Sequence, residues 1–214
     1  MGDFWIGFEL DHVLVAVVDL AKAARELEAR YGLSSIEGGR HAGWGTANRI
    51  VPLGNSYLEL ISVVDEAEAE RTAFGTWVAQ ARPLLAKPLG WAVRTGNLDD
   101  VARRLGLVAA AGSRATRTGE LLQWRLAGVE RAAAEPSLPF FIEWHEDAVF
   151  PGRASRSAPA EAQPVVVRRL ELDGDPQRLA AWLGEHRLPI AVNAGRPALR
   201  RLVLDGPCGE IVLE

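Results

Sequence analysis

Two ionisable side chains stand in apolar surroundings, and they are the first candidates for chemistry in this sequence. His12 shares one face of a predicted strand with Leu10, Leu14 and Ala16, and Glu59 stands between two leucines. A carboxylate on a buried strand face costs free energy unless it is paired or bound to a metal ion. We therefore expect Glu59 to be functional if it points inward and an ordinary surface residue if it points outward. His12 is either a hydrogen-bonded core residue or a ligand or catalytic group.

A glycine-rich segment places a third candidate, His41, next to two neutral polar residues. His41 follows two glycines, and Thr46 and Asn48 alternate after it on one face of a predicted strand. This spacing favours a histidine donor and two polar groups held over the carbonyl group of a ligand, with His41 also able to move a proton. The alternative is a turn without a function.

A second polar pair lies further along the chain. Glu143 and His145 are two residues apart, so they share one face of a predicted strand. The pair either adds polar groups to a site or marks a strand end that reaches solvent. Aromatic walls are typical of small-molecule sites, although tryptophan is also common in protein cores. The tryptophans near the predicted strands of these regions are Trp44, Trp91, Trp124 and Trp144.

The elements that must position these residues recur three times along the chain. Each copy has a short apolar strand, a helix with a capping residue at its start, and then further strands. In the first copy Asp19 caps the helix and Gly32 ends it, and in the third Asp175 precedes Pro176 in the first helical turn. Because several strands follow each helix, the pattern indicates an α+β fold and not a parallel α/β sheet.

The repeats also predict the organisation of the chain. The segment between the second and third copies is rich in Ala, Ser, Arg and Pro and has no periodicity, which is typical of a linker or an exposed loop. The predicted segments are two paired βαβββ modules within residues 1–146 (about 10–63 and 90–146, with an extra helix at about 65–81 between them), a linker or exposed loop at 147–164, and a third βαβββ-like module at 165–214.

Three stretches resemble the vicinal oxygen chelate superfamily, and within it the glyoxalase-like domain proteins. They are residues 38–49, 54–61 and 138–145. The resemblance covers about residues 10–145, and the third copy fits more loosely. It implies the fold of glyoxalases, bleomycin-resistance proteins and extradiol dioxygenases, in which modules form half-open curled β-sheets around a pocket, with helices packed outside.

The resemblance also implies a metal site. In that superfamily a residue on the first strand and a glutamate on the last strand of each of two modules hold a metal ion. Carried onto this chain, the ligands are His12, Glu59 and Glu143, and the ion is Zn, Mn, Fe, Ni or Mg. The fourth position falls in residues 90–93, Gly-Trp-Ala-Val, which contain no ligand.

Two functions from different classes are compatible with these residues. The preferred one is a metal-dependent enzyme of the isomerase, lyase or hydrolase type, in which the ion polarises substrate oxygens and Glu143 or His41 moves a proton. The alternative is a metal-free protein that binds or sequesters a small molecule, as antibiotic-resistance relatives do. The predicted substrate contacts are His41, Trp44, Thr46, Asn48, Trp91, Trp124 and His145.

Composition limits the partners that we expect. The 214 residues have a formal net charge of -4, so no excess of positive charge favours nucleic acid. No apolar run is long enough to span a bilayer, and acids near the N-terminus are unlike a secretory signal. The one cysteine, Cys208, permits no intramolecular disulfide. We expect a cytoplasmic protein with a small-molecule partner, no nucleic-acid or membrane partner, and a third module that leaves a homodimer open.

Overall fold

The computed structural model describes residues 7–81, 87–116, 119–153, 165–206 and 209–214. Cys208 and most of the predicted linker, residues 154–164, lie outside the described residues. The strands are β1 Glu9–Ala16, β2 Ile36–His41, β3 Thr46–Pro52, β4 Tyr57–Val63, β5 Lys87–Arg94, β6 Ala109–Ala115, β7 Leu121–Ala127, β8 Phe140–Trp144, β9 Val166–Gly174, β10 Ile190–Ala194, β11 Ala198–Gly206 and β12 Gly209–Leu213. The helices are α1 Leu20–Tyr31, α2 Glu66–Ala69, α3 Ala73–Ala81, α4 Leu98–Leu105, α5 Val129–Ala134 and α6 Pro176–Leu183, and a 3-10 turn spans Pro151–Arg153.

Helix α1 begins and ends, and α6 begins, at the residues that the sequence predicts. The Asp19 side chain accepts a hydrogen bond from the backbone N–H of Lys22, and Gly32 ends α1 in the left-handed conformation at φ 67°. Asp175 caps α6 in the same way, with Pro176 as its first helical residue. These local signals fix where each helix meets the strands that flank it.

The first eight strands form a closed barrel in the order β1-β4-β3-β2-β6-β7-β8-β5. Within each module the first and last strands are parallel neighbours, β1 with β4 and β5 with β8. Antiparallel pairing of β1 with β5 and of β2 with β6 joins the two curled sheets. The α+β architecture of repeated modules is therefore confirmed, and the predicted half-open sheets close into one barrel.

One end of the barrel interior is filled by short helices. The segment predicted as one extra helix forms two, α2 and α3, and α3 packs with α5. Phe74, Trp77 and Val78 of α3 share a buried cluster with Phe140 of β8 and Ala132 of α5. These side chains fill the interior at that end, so the polar groups described below face a small space.

The third repeat has the element order of a module, but its sheet has a different strand order. The order is β10-β9-β11-β12, and the parallel neighbour of β9 is β10, the strand directly after the helix, and not the last strand. Leu170, Leu202 and Trp182 of this unit share a core with Val13 and Trp91 on the outer side of the barrel. The third unit thus covers the barrel and does not extend it. In the described residues no helix is long and apolar enough to cross a membrane.

Candidate functional site

A small cavity lies inside the barrel, between the inner faces of the two modules. Its free volume is about 20 Å³, which is room for about one water molecule. The side chains that line it come from both modules and from α3, and they are His12, His41, Trp44, Asn48, Tyr57, Glu59, Phe74, Arg114, Trp124, Leu126, Phe140, Ile142 and Trp144. A substrate therefore fits only after some of these walls move.

Strand alternation places His12 and Glu59 on the same inner face. β1 and β4 are parallel neighbours, with Leu14 opposite Glu59 in the register. His12 is 3% exposed and Glu59 is 5% exposed. Their side chains meet in the cavity, where His12 Nε2 lies 3.4 Å from Glu59 Oε2. The two residues that the sequence singled out from opposite ends of the first module therefore come together.

Asp11 is a fully buried member of the site that the sequence analysis missed. It lies at a register shift in the pairing of β1 with β5. His12 Nδ1 is 2.6 Å from Asp11 Oδ1, and Trp144 Nε1 donates to Asp11 Oδ2 at 2.9 Å. Burial, followed by the charges of Asp11 and Glu59, raises the pKa of the nearby Tyr57 well above its usual value. Tyr57 therefore stays protonated, and each oxygen of the buried Asp11 carboxylate has a hydrogen-bond partner.

Glu59 lies at the centre of the polar cluster. Asn48 Nδ2 donates to Glu59 Oε1 at 2.7 Å and also lies 3.2 Å from His41 Nε2. His41 Nε2 itself is 3.7 Å from Glu59 Oε1. Asn48 Oδ1 is a buried atom without a hydrogen-bond partner in the described structure. The Asn48 amide therefore bridges His41 and the carboxylate, and it holds one Glu59 oxygen in place while the other faces His12.

His41 is held by the glycine-rich turn and by its own polar contact. Its Nδ1 lies 2.8 Å from Thr46 Oγ1, and Glu68 accepts the backbone N–H groups of Gly43 at 2.9 Å and Gly45 at 3.2 Å. Gly45 has φ 65°, and a Cβ there would lie 2.2 Å from the backbone oxygen of Asp65, so only glycine fits.

Burial decides the protonation state of His41. Desolvation lowers its pKa to about 4, the charge of Glu59 opposes that change, and the charges of Arg114 and His12 lower the pKa further. His41 is therefore a neutral imidazole near pH 7. It hydrogen-bonds within the cluster and adds no positive charge beside Glu59.

Three predicted site residues lie away from this cavity. Phe140, Ile142 and Trp144 of β8 line the barrel interior, so alternation turns Glu143 to the outer face, where it accepts hydrogen bonds from Leu98 N at 3.1 Å and Arg125 Nη1 at 3.2 Å. The His145 side chain is 59% exposed, beside Asp147. Trp91 is fully buried in the core outside the barrel, and its Nε1 donates to the Ser137 carbonyl.

The remaining predicted contacts share the cavity. The structure brings together His41, Trp44, Thr46, Asn48 and Trp124, because Thr46 bonds to His41 and the other four line the space itself. Trp44 and Trp124 each pack against His41, with ring centroids 5.7 and 5.8 Å away. The glycine-rich motif therefore predicted a true cluster, although its neighbours in the second module differ from those expected.

The predicted metal ligands are only partly assembled. His12 and Glu59 meet, but Glu143 lies on the other face of the sheet. In the described part of the chain, no group of three or more His, Cys, Asp or Glu side chains is arranged to hold a metal ion. The Asn48 amide also occupies a Glu59 oxygen. The residues present do not fit the predicted three-ligand site, so the divalent ion stays a prediction.

Comparison with known proteins agrees with this architecture. A family model described as "Glyoxalase-like domain" matches residues 10–186. A hypothetical protein from Staphylococcus aureus is similar over 96% of this chain and 84% of its own, with 14% identity and a TM-score of 0.63, which shows the fold alone. No curated protein matches the sequence.

Two solved methylmalonyl-CoA epimerases match with lower TM-scores. The enzyme from Mycobacterium tuberculosis has 18% identity and a TM-score of 0.41, and covers 67% of this chain and 91% of its own. A point variant of the Streptomyces coelicolor enzyme, in complex with 2-nitronate-propionyl-CoA, has 18% identity and a TM-score of 0.47, over 66% and 99%. These likenesses carry no argument about activity. From the family match, which spans more than half of the chain, the chain belongs to the glyoxalase-like domain family.

Proposed function

We propose that this protein is an enzyme of the isomerase or lyase type that moves a proton at a carbon next to a carbonyl group of a small molecule. The observation that carries the proposal is the buried chain Asp11, His12, Glu59, with Nδ1 of the imidazole on one carboxylate and Nε2 facing the other. A carboxylate and an imidazole in contact in a buried cavity can act as a general acid–base pair.

Each group has a role that follows from its contacts. Asp11 accepts a hydrogen bond from His12 Nδ1 and fixes the orientation of the imidazole ring. Glu59 takes the proton from carbon, and the electrons of the broken C–H bond move onto the carbonyl oxygen. The His12 Nε2–H donates a hydrogen bond to the negative charge that develops on that oxygen. Return of the proton to another carbon or the opposite face completes an isomerisation, and loss of a leaving group gives a lyase.

The surrounding residues prepare this pair. The Asn48 amide fixes the Glu59 oxygen that does not face His12, and neutral His41 holds Asn48 from behind. Phe140 and Ile142 face the polar cluster from the second module. Their apolar surface excludes water, and charges interact more strongly in such a site than in solvent.

The test is proton exchange in D₂O, followed by ¹H NMR. We expect the wild-type protein to exchange the α-protons of at least one member of a panel of acetone, butanone, pyruvate and acetoacetate faster than buffer. The His12→Gln variant should lose this activity, and His186→Gln, outside the barrel, should keep it. If no compound exchanges faster than buffer but the panel quenches tryptophan fluorescence, the protein is a binding protein and the enzymatic proposal fails.

A divalent ion is the second candidate for the chemistry of this site. What favours it is that Nδ1 of each imidazole is held by another side chain, as in metal-binding histidines; what opposes it is that the described residues contain no three-ligand group. Metal content by mass spectrometry decides between the candidates. One tightly held ion per chain, lost in both His12→Ala and Glu59→Ala, would establish the ion, while a metal-free protein that still exchanges protons supports the acid–base pair.

The assembly and the location of the protein stay predictions from the sequence. They are a homodimer, a cytoplasmic location, and the lack of nucleic-acid and membrane partners. Size-exclusion chromatography with light scattering measures the first of these directly.

A further inference from the structure

Arg114 is a buried cation on the inner face of β6, and the proposed proton transfer does not use it. It is 5% exposed and lines the same cavity as His12 and Glu59. Its guanidinium Nη1 donates to the backbone carbonyl of Gly38 on β2. In the part of the chain that the structure describes, no carboxylate forms an ion pair with it.

Three other arginines of the barrel form ion pairs, and a fourth, Arg49, is partly buried and donates to the hydroxyl and the carbonyl of Ser35. Arg40 contacts Glu68 at 2.7 Å, Arg94 contacts Glu9, and Arg125 contacts Asp99. These three are partly exposed, whereas Arg114 is buried. A buried charge without a close opposite charge is costly, so a residue of this kind needs a partner from elsewhere.

The carboxylates of the cavity are already engaged. Asp11 accepts from His12 and Trp144, and Glu59 accepts from Asn48 and faces His12. The charge of Arg114 still acts inside the cavity, because it lowers the pKa of His41 and opposes the rise in the pKa of Tyr57. Positive potential therefore remains available to an anionic group that enters.

The space beside Arg114 has aromatic walls. Gly112 shares its strand face, two residues away. A Cβ at Gly112 would lie 2.3 Å from Trp124 Nε1 and 2.9 Å from Trp44 Cη2. The missing side chain lets both indole rings reach the cavity, where they offer apolar surface next to the guanidinium.

We propose that Arg114 binds the carboxylate group of the substrate, so that the substrate is a small organic acid whose reacting carbon points toward Glu59. The part of this inference that concerns the reacting carbon rests on the proposed proton transfer, and the part that concerns binding does not. The planar guanidinium matches a carboxylate with two parallel hydrogen bonds. The positive charge of Arg114 also offsets repulsion between the incoming acid and the carboxylates of the site.

The binding test uses a matched pair of probes, propionate and its neutral analogue propionamide, titrated into the protein while tryptophan fluorescence is recorded. We expect propionate to bind the wild type at least tenfold more tightly than propionamide. Arg114→Gln should remove that preference, Arg114→Lys should keep part of it, and Arg103→Gln, which removes a surface charge from α4, should leave it unchanged.

The proposal is overturned if propionate and propionamide bind the wild type alike, if neither binds, or if Arg114→Gln keeps the preference. Should Arg114→Gln fail to fold, the wild-type comparison and Arg114→Lys still decide. Exchange in D₂O separates the two proposals. Equal α-proton exchange of butanone and pyruvate would support the proton transfer and contradict the carboxylate site at Arg114. Selective binding of acids without any exchange would support the carboxylate site and contradict the proton transfer.

Discussion

The two halves of the barrel share one backbone plan but differ in the side chains that they point inward. The first module, β1 to β4, presents His12, His41, Asn48 and Glu59 to the cavity. The second, β5 to β8, presents apolar or small side chains, with Arg114 as the ionisable exception, and the others include Ala92, Trp124, Leu126, Phe140 and Ile142. The proposed proton transfer is therefore concentrated in the first module, and the second module supplies an apolar wall and the buried Arg114.

The difference between the modules affects the electrostatics of the cavity. An apolar wall opposite a polar cluster raises the effect of each charge, because fewer water dipoles screen it. The lowered pKa of His41 is one sign of that environment. A symmetric pair of polar modules would instead place more buried charges against each other, each of which needs its own partner.

In the first module the largest effect should come from Glu59→Gln, which keeps the shape of the side chain and removes its basicity. We expect the α-proton exchange rate to fall by about 10²–10⁴-fold, the usual contribution of a general acid–base group. Exchange is measured by ¹H NMR, and urea unfolding serves as the control for folding. A fall of less than about tenfold would show that Glu59 is not the base.

The converse change places a carboxylate in the apolar half through Ile142→Glu. Ile142 is 2% exposed, so the added charge is withdrawn from water, and the free energy of unfolding should fall by at least about 3 kcal/mol at pH 7. Ile142→Val, which only shortens the side chain, should cost about 1 kcal/mol. Urea unfolding measures both, and equal costs would mean that the second half is not the dry wall described here.

The buried imidazole of His41 predicts a pH dependence of stability. Its pKa is about 4 in the folded protein, against an ordinary value of 6.5, so folding favours the neutral form. The stabilisation that depends on neutral His41 is fully present above pH 6.5 and is lost as the pH falls toward 4. At pH 5 the free energy of unfolding is lower by about 2 kcal/mol for this reason. The free energy of unfolding at pH 7 and pH 5 should differ less in His41→Gln than in the wild type. An unchanged difference would contradict the buried, neutral assignment.

The smallest effect should come from the outer face of the second module. Glu143→Gln removes the carboxylate that accepts from the first residue of α4 and from Arg125. We expect the free energy of unfolding to fall by about 1 kcal/mol and the exchange rate to change by less than about twofold. A large loss of exchange with unchanged stability would restore Glu143 as a catalytic residue.

Local chemistry explains why so much of the fold is predictable from the sequence. Asp19, Gly32 and Asp175 carry the capping and ending signals of their helices, and these act within a few residues. Strand neighbours are not local. The pairing of β9 with β10, and the closure of the barrel by β1 with β5, depend on contacts between distant segments. The third unit therefore shows the predicted order of elements but a different sheet.

The residues of the site also differ in how far the sequence reveals them. His12 and Glu59 stand out because each interrupts an apolar run. The sequence does not show which face of the sheet carries Glu143, because Phe-Phe-Ile-Glu-Trp has no clear alternation of polar and apolar residues. A shift of one residue in the strand would move every side chain to the opposite face. Asp11 became visible only with the register shift in β1, although an acid next to a histidine in an aliphatic strand is a signal worth reading. Arg114 gave no signal, because its neighbours along the chain are polar or small.

The central claim is that His12 and Glu59 act as one acid–base pair, and a double-mutant cycle on α-proton exchange tests it most directly. The rates of the wild type, His12→Gln, Glu59→Gln and the double variant are measured on the same exchanging compound. Residues that act as a unit give non-additive losses, so we expect the double variant to be no slower than the slower single variant. Losses that multiply would mean that the two side chains act independently, and the paired mechanism would be wrong.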